Sequence, residues 1–195
     1  MLVKEWNELP DYMQVEEVKP YYEILRKKKG QLMLKRIFDI ICSSILIVLL
    51  SPALLFISIW IKLDSKGPVF YRQERITQYG KVFRIFKFRT MVTNADKIGT
   101  LVTTQNDSRI TKVGNKIRKC RLDELPQLFN IFLGEMSFVG TRPEVQKYVD
   151  AYSTEMNATL LLPAGVTSLA SIKYRDEDEI LEQKTKLGKT IDQAY

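Results

Sequence analysis

Apolar positions are spread unevenly along this chain, and the longest run decides how the rest is read. The 22 residues Ile40–Ile61 carry no charge and are broken only by Cys42, Ser43, Ser44, Ser51, Pro52 and Ser58. As a straight helix the run reaches roughly 33 Å, enough to cross a hydrocarbon core of about 30 Å. Its midpoint is Ser51-Pro52. A proline there removes a backbone donor and crowds the preceding turn, while the serine hydroxyl can satisfy a freed carbonyl, so a sharp break inside a membrane is tolerable. Two half-helices of about 16 Å each would descend into one leaflet and return. The pattern predicts a re-entrant membrane helix hairpin broken at Ser51-Pro52; a single-pass helix kinked at Pro52 is the plainer alternative. The run begins too far from the N-terminus, and is too long, for a secretory leader.

The flanks favour the hairpin. Arg26, Lys27, Lys28, Lys29, Lys35 and Arg36 precede the run with no acid among them, and Lys62 to Arg89 holds eight basic residues against Asp64 and Glu74. Basic flanks mark the cytoplasmic side, and a single crossing shows the bias at one end only.

After the membrane segment the period changes. Pro68–Arg75 and Val82–Arg89 are aromatic and β-branched, separated by Thr77-Gln78-Tyr79-Gly80, which reads as a β-hairpin. Alternation along the second strand places Lys87 and Arg89 on one face and Phe86 and Phe88 on the other. From Asp107 to Met136 the chain reads as helical. Leu125, Leu128, Phe129 and Phe132 form a stripe facing the core or the membrane interface, with Gly134 as a C-terminal stop. Val166–Tyr174 reads as a short β-like piece, and the acidic run Asp176–Glu179 as the opening of another helix. Residues 1–25, with Pro10, Pro20 and weak periodicity, read as a peripheral arm. The expected organisation is a basic N-terminal arm (1–34), a re-entrant membrane helix (35–62) and a cytoplasmic domain (63–195). The fold class is α+β, mainly helical with a small β-hairpin.

Composition narrows the chemistry. At 195 residues, 45% hydrophobic and 27% charged, the chain suits one folded domain. An excess of 30 basic over 23 acidic residues suits nucleic acid, an anionic membrane face or a phosphorylated substrate. There is no histidine, which removes Ser-His-Asp and Cys-His mechanisms and leaves carboxylates, lysine, tyrosine or a metal. Cys42 and Cys120 are too few for a disulfide framework.

The stretch Arg118 to Gln127 sets two adjacent carboxylates, Asp123 and Glu124, between a basic cluster and Pro126, a residue suited to a helix start. A helix N-terminus keeps carboxylates ionised and attracts phosphate, with Arg118, Arg121 and the Lys87/Arg89 face supplying further charge. Such a place suits phosphoryl transfer, where one carboxylate can attack phosphorus and its neighbour can hold a divalent ion. An Asp-Glu pair alone is more often a solvated helix start. Further on, Gly140-Thr141-Arg142-Pro143 holds a guanidinium in a turn, able to clamp phosphate oxygens in bidentate fashion.

At these residues the chain resembles the monotopic phosphoglycosyl transferases, also called bacterial sugar transferases. The resemblance is carried in order by Lys35-Arg36-Ile37-Phe38-Asp39, Ser51-Pro52, Gly67-Pro68-Val69-Phe70, Gln73-Glu74-Arg75, Phe86 to Met91, Asp107 to Thr111, Leu122 to Gln127, and Met136 to Glu144. It implies a membrane helix broken at Ser-Pro and a monotopic protein on the cytoplasmic face of the bacterial inner membrane. It implies a two-step reaction in which Asp123 attacks a UDP-sugar and expels UMP, and a polyprenol phosphate, typically undecaprenyl phosphate, then takes the phospho-sugar. Magnesium is the implied ion, with Glu124 its ligand. Lys87, Arg89, Arg118 and Arg142 are the implied substrate-binding cations. Two departures stand out. The family's Gly-Pro-Arg-Pro is here Gly140-Thr141-Arg142-Pro143, and its Pro-Gly-Ile-Thr-Gly-Trp-Ala-Gln is replaced by Pro163 to Ser171. The chain also ends at Tyr195, short of the last membrane-associated helices the resemblance implies, as a truncated C-terminus would. An oligomer is compatible with the sequence. The alternatives are a non-enzymatic membrane-anchored module for anionic lipid or a partner protein, and a nucleic-acid binder, which the apolar run argues against.

Overall fold

The computed structural model describes residues 3–95 and 107–173. Two helices open it, α1 (Lys19–Lys27) and the 36-residue α2 (Lys29–Asp64), which is long and apolar enough to cross a membrane. α2 carries Pro52 in its interior. The carbonyl left without a donor by that proline belongs to Val48, four residues back, and Ser51 Oγ donates to it at 2.8 Å. Ser44 Oγ does the same for Ile40 and Ser58 Oγ for Leu54, so the serines keep their polar groups inside the helix.

Both halves of α2 lie against the same polar domain. A hairpin of β1 (Phe70–Ile76) and β2 (Val82–Phe88) pairs Phe70 with Phe88 and Ile76 with Val82, turning at Tyr79 and Gly80 with φ 59° and 72°. Next come α3 (Lys112–Lys119), α4 (Gln127–Leu133) and β3 (Met136–Val139), then α5 (Gln146–Val149), β4 (Ala164–Thr167) and α6 (Leu169–Lys173). Leu46, Ile47 and Leu50 of α2 pack against Phe83, Ile85, Leu128, Ile131 and Met136. Beyond the proline, Ile57 and Ile61 pack with Phe88, Val113 and Ile117. The opposite face is uncovered: Leu34, Val48, Leu49, Leu55, Phe56 and Leu63 are exposed, and only 17% of the apolar window is buried.

Polar contacts fix the ends of α2. Asp39, 1% exposed, accepts Ser137 Oγ at 2.7 Å and the Phe138 N–H at 3.2 Å, with Lys35 beside it. Arg36 donates to the last carbonyls of α4, Ile131 and Phe132, at 2.6 and 2.8 Å. At the far end Asp64 accepts the Val113 N–H.

Several expectations change. Residues 3–25 are no peripheral arm: Val3, Leu9, Met13, Val18 and Tyr22 are buried with Leu32, Ile76, Leu160 and Leu161 in one cluster. The segment has almost no period because two 3-10 turns, Trp6–Glu8 and Asp11–Met13, present its apolar residues at irregular spacing. The strand expected over Val166–Tyr174 is instead Ala164–Thr167, with Leu169–Lys173 helical and Tyr174 outside the described residues. The strand pairs in parallel with β3, and the ladder ends at Val139 and Thr167, past which the chain turns into α6. The helical region is α3 and α4 with a 3-10 turn between them, because Arg121 is left-handed (φ 55°) and Pro126 cannot donate. The acidic run Asp176–Glu179 and the C-terminal end lie outside the described residues.

Candidate active site

Asp123 and Glu124 occupy the 3-10 turn Leu122–Glu124, just ahead of α4, instead of that helix's first turn. With only seven residues, α4 has little dipole to offer, so the field at this turn comes from side chains. Arg121 enters the turn in a conformation uncommon for a residue with a side chain, an arrangement that concentrates at functional sites.

The cations expected from sequence divide into two groups. Lys87, from β2, donates to Glu124 Oε1 at 2.8 Å in a pair whose side chains are 22% and 16% exposed. Arg118 bears electrostatically on Asp123, and Arg121 and Arg142 on Glu124. Arg89 does not join them. It lies past the last residue of β2, is buried, and gives its guanidinium to the carbonyls of Ser65 and Lys66, with Asp64 as its nearby counter-charge. It caps the C-terminus of α2, where a cation is favoured.

The turn that carries Arg142 is braced on both sides. Just past the end of β3, Gly140 N donates to Thr167 O at 3.0 Å, and Thr141 O turns back to accept Gly165 N at 2.8 Å. Gly140 and Gly165 stand so close that a Cβ on Gly165 would strike the Gly140 backbone. From the hairpin, Ile76 N donates to Glu144 O and Arg75 to Pro143 O. The loss of proline at Thr141 is thus offset by backbone bonds.

The cations around Glu124 set the two equally buried carboxyls apart. Burial pushes the Asp123 carboxyl above its ordinary value; Lys87 opposes this and the neighbouring Glu124 adds to it. Burial acts on Glu124 in the same sense, but the charge and hydrogen bond of Lys87, with Arg142 and Arg121, outweigh it and hold that carboxyl below its ordinary value. Adjacent acids driven in opposite directions are the arrangement of a site that assigns them different work.

Among the described residues no group of three or more carboxylate, histidine or cysteine side chains converges. A divalent ion here would rest on one or two carboxylates, water and phosphate oxygens, a donor set that fits magnesium. Glu124 Oε2 carries no hydrogen bond among the described residues, which leaves it available to such an ion.

One buried polar residue behind the turn carried no sequence expectation. Asn130, on α4, accepts the Phe86 N–H at 2.8 Å and donates to Arg84 O and to Glu135 Oε2. The available signal was a lone amide inside the apolar run Leu128 to Leu133.

A family model described as bacterial sugar transferase matches residues 30–195. The UDP-glucose:undecaprenyl-phosphate glucose-1-phosphate transferase of Klebsiella pneumoniae is 42% identical over 158 residues, covering 78% of this chain and 34% of that one. A putative undecaprenyl-phosphate N-acetylgalactosaminyl 1-phosphate transferase of Bacillus subtilis is 37% identical over 135 residues, 69% of this chain and 75% of that one. The exopolysaccharide production protein ExoY of Sinorhizobium fredii is 36% identical over 158 residues, with 73% and 70% covered. The chain therefore spans about a third of the length of the Klebsiella relative.

Proposed function

Because the chain belongs to the bacterial sugar transferase family, we propose that it is a phosphoglycosyl transferase that moves a sugar-1-phosphate from a UDP-sugar to a polyprenol phosphate. Undecaprenyl phosphate, the acceptor in its relatives' names, is the expected lipid, and the step opens the membrane stage of surface glycan assembly. The observation that carries this reading is the half-buried Asp123–Glu124 turn ringed by Lys87, Arg118, Arg121 and Arg142, beside a helix with an uncovered apolar face.

In the first step an Asp123 carboxylate oxygen attacks the phosphorus that bears the sugar, the bond from that phosphorus to the UMP oxygen breaks, and UMP leaves. In the second step an oxygen of the lipid phosphate attacks the same phosphorus and the aspartyl oxygen leaves, restoring the carboxylate. Arg118 and Arg142 cancel the repulsion between anionic nucleophile and anionic diphosphate, and Lys87 can pass from Glu124 to a phosphate oxygen. Glu124 would hold magnesium, which when bound neutralises charge on the leaving group.

The helix α2 supplies the lipid side. It enters and leaves the cytoplasmic leaflet of the inner membrane as a hairpin bent at Ser51-Pro52. Support comes from the docking of both halves on one polar domain and from the Ser51 hydroxyl on the Val48 carbonyl. Tags placed at the N-terminus and after Lys62 should both stay cytoplasmic; an outside N-terminus overturns the hairpin.

Intact mass after incubation with a UDP-sugar and magnesium, without lipid acceptor, tests the chemistry. The expected result is an adduct of one phospho-sugar mapped to Asp123, absent in Asp123→Asn. UMP release by Asp123→Asn at the wild-type rate overturns the mechanism and points to an anchor module or a different nucleophile.

A further inference from the structure

Asn130 is fully buried, six residues beyond Glu124 in sequence, and its carboxamide meets β2 edge-on. Oδ1 accepts from Phe86 N–H at 2.8 Å, and Nδ2 donates to Arg84 C=O at 3.1 Å. β1 occupies the other edge of β2, so these backbone groups point away from the hairpin and need a partner in the interior. One side chain does here what a third strand would do. Its amide is oriented by Glu135 Oε2, 2.6 Å from Nδ2, which keeps the nitrogen on the Arg84 side.

The neighbouring residue on β2 is Lys87, which reaches Glu124. The strand and the acidic turn are therefore tied at two points of different kind. Lys87–Glu124 is ionic and partly exposed, so a phosphate group can compete for it. The Asn130 tie to the strand runs through uncharged groups from a side chain with no exposed surface, and it persists when Lys87 changes partner. Resting on the reaction proposed above, we infer that Asn130 is a positioning residue: it holds β2 in register with the Asp123–Glu124 turn, so that Lys87 can move between Glu124 and a phosphate oxygen without the strand drifting.

The test has two arms on the full chain in detergent micelles. The first needs no catalysis. Acetylation of Lys87 by acetic anhydride, read by peptide mass spectrometry, should rise at least about threefold in Asn130→Ala while Lys19 is unchanged, because the strand edge now opens locally. The second is formation of the phospho-sugar adduct. Asn130→Ala should slow it about tenfold alone but less than about twofold when Lys87→Ala is already present, since coupled residues share one effect. If Asn130→Ala fails to fold, Asn130→Asp, which keeps the acceptor for Phe86 N–H and loses the donor to Arg84, carries both comparisons. Unchanged Lys87 labelling in a folded variant, or equal slowing in both backgrounds, overturns the inference. A rise of Lys87 labelling in Asn130→Ala, with no adduct formed by the wild-type chain, upholds the clamp and removes the reaction.

Discussion

At the residue scale, Asp123 sets activity against stability. Burial raises its pKa, so the native state binds the proton more tightly than the unfolded chain does. Whatever stability this group contributes is present below its unfolded pKa and is lost as pH rises through the raised native value. At neutral pH the ionised carboxylate is a net cost, and Asp123→Asn should abolish adduct formation while raising the Tm. The Tm difference from wild type should shrink as pH falls through the raised pKa, which thermal melts of both proteins across that range would show. Attack needs the ionised carboxylate, so wild-type adduct formation should fall over the same interval. Glu124 has the opposite sign: its pKa is lowered, and its contribution is present above the unfolded value and lost as pH falls through the native one. Lys87→Ala strips Glu124 of that support, and for a partly buried pair a loss of about 1–2 kcal/mol is expected in denaturant unfolding.

At the scale of elements, the buried link between α2 and β3 is the most exposed to mutation. Asp39→Ala leaves the Phe138 N–H and the Ser137 hydroxyl without their acceptor in an interior site, at a cost of about 2–3 kcal/mol. The expected reading is a lower midpoint of denaturant unfolding with near-UV circular dichroism otherwise kept. Legibility in the sequence followed the same physics. The hairpin could be read because its register rests on local alternation and a turn next to Gly80. The parallel pairing of β3 with β4 could not, since Met136 and Ala164 find each other across a long connection that leaves no periodic mark. Arg89 was misplaced because alternation was carried one residue past the end of β2, where the chain turns to cap α2. The geometry of the carboxylate pair was not legible: its turn depends on one left-handed residue, Arg121, which no pattern announces.

At the scale of the molecule, residues 3–28 precede the stretch that matches the family and yet complete a core. Met13, with no exposed surface, sits against the segment Leu160–Leu161 that leads into β4. Met13→Ala is expected to cost about 2–4 kcal/mol, read as an earlier urea midpoint. The long helix has a parallel standing. Its inner face takes part in all three clusters, through Leu32 near its start, Leu46, Ile47 and Leu50 ahead of Pro52, and Ile57 and Ile61 beyond it. A version trimmed to begin at Ser65, made in the hope of a water-soluble enzyme, would open all three clusters at once and leave Ser137, Phe138 and Val113 facing solvent where Asp39 and Asp64 had been. Solubility of this protein is therefore a matter of choosing an amphiphile to coat α2, since excising the helix removes a wall of the house along with its foundation.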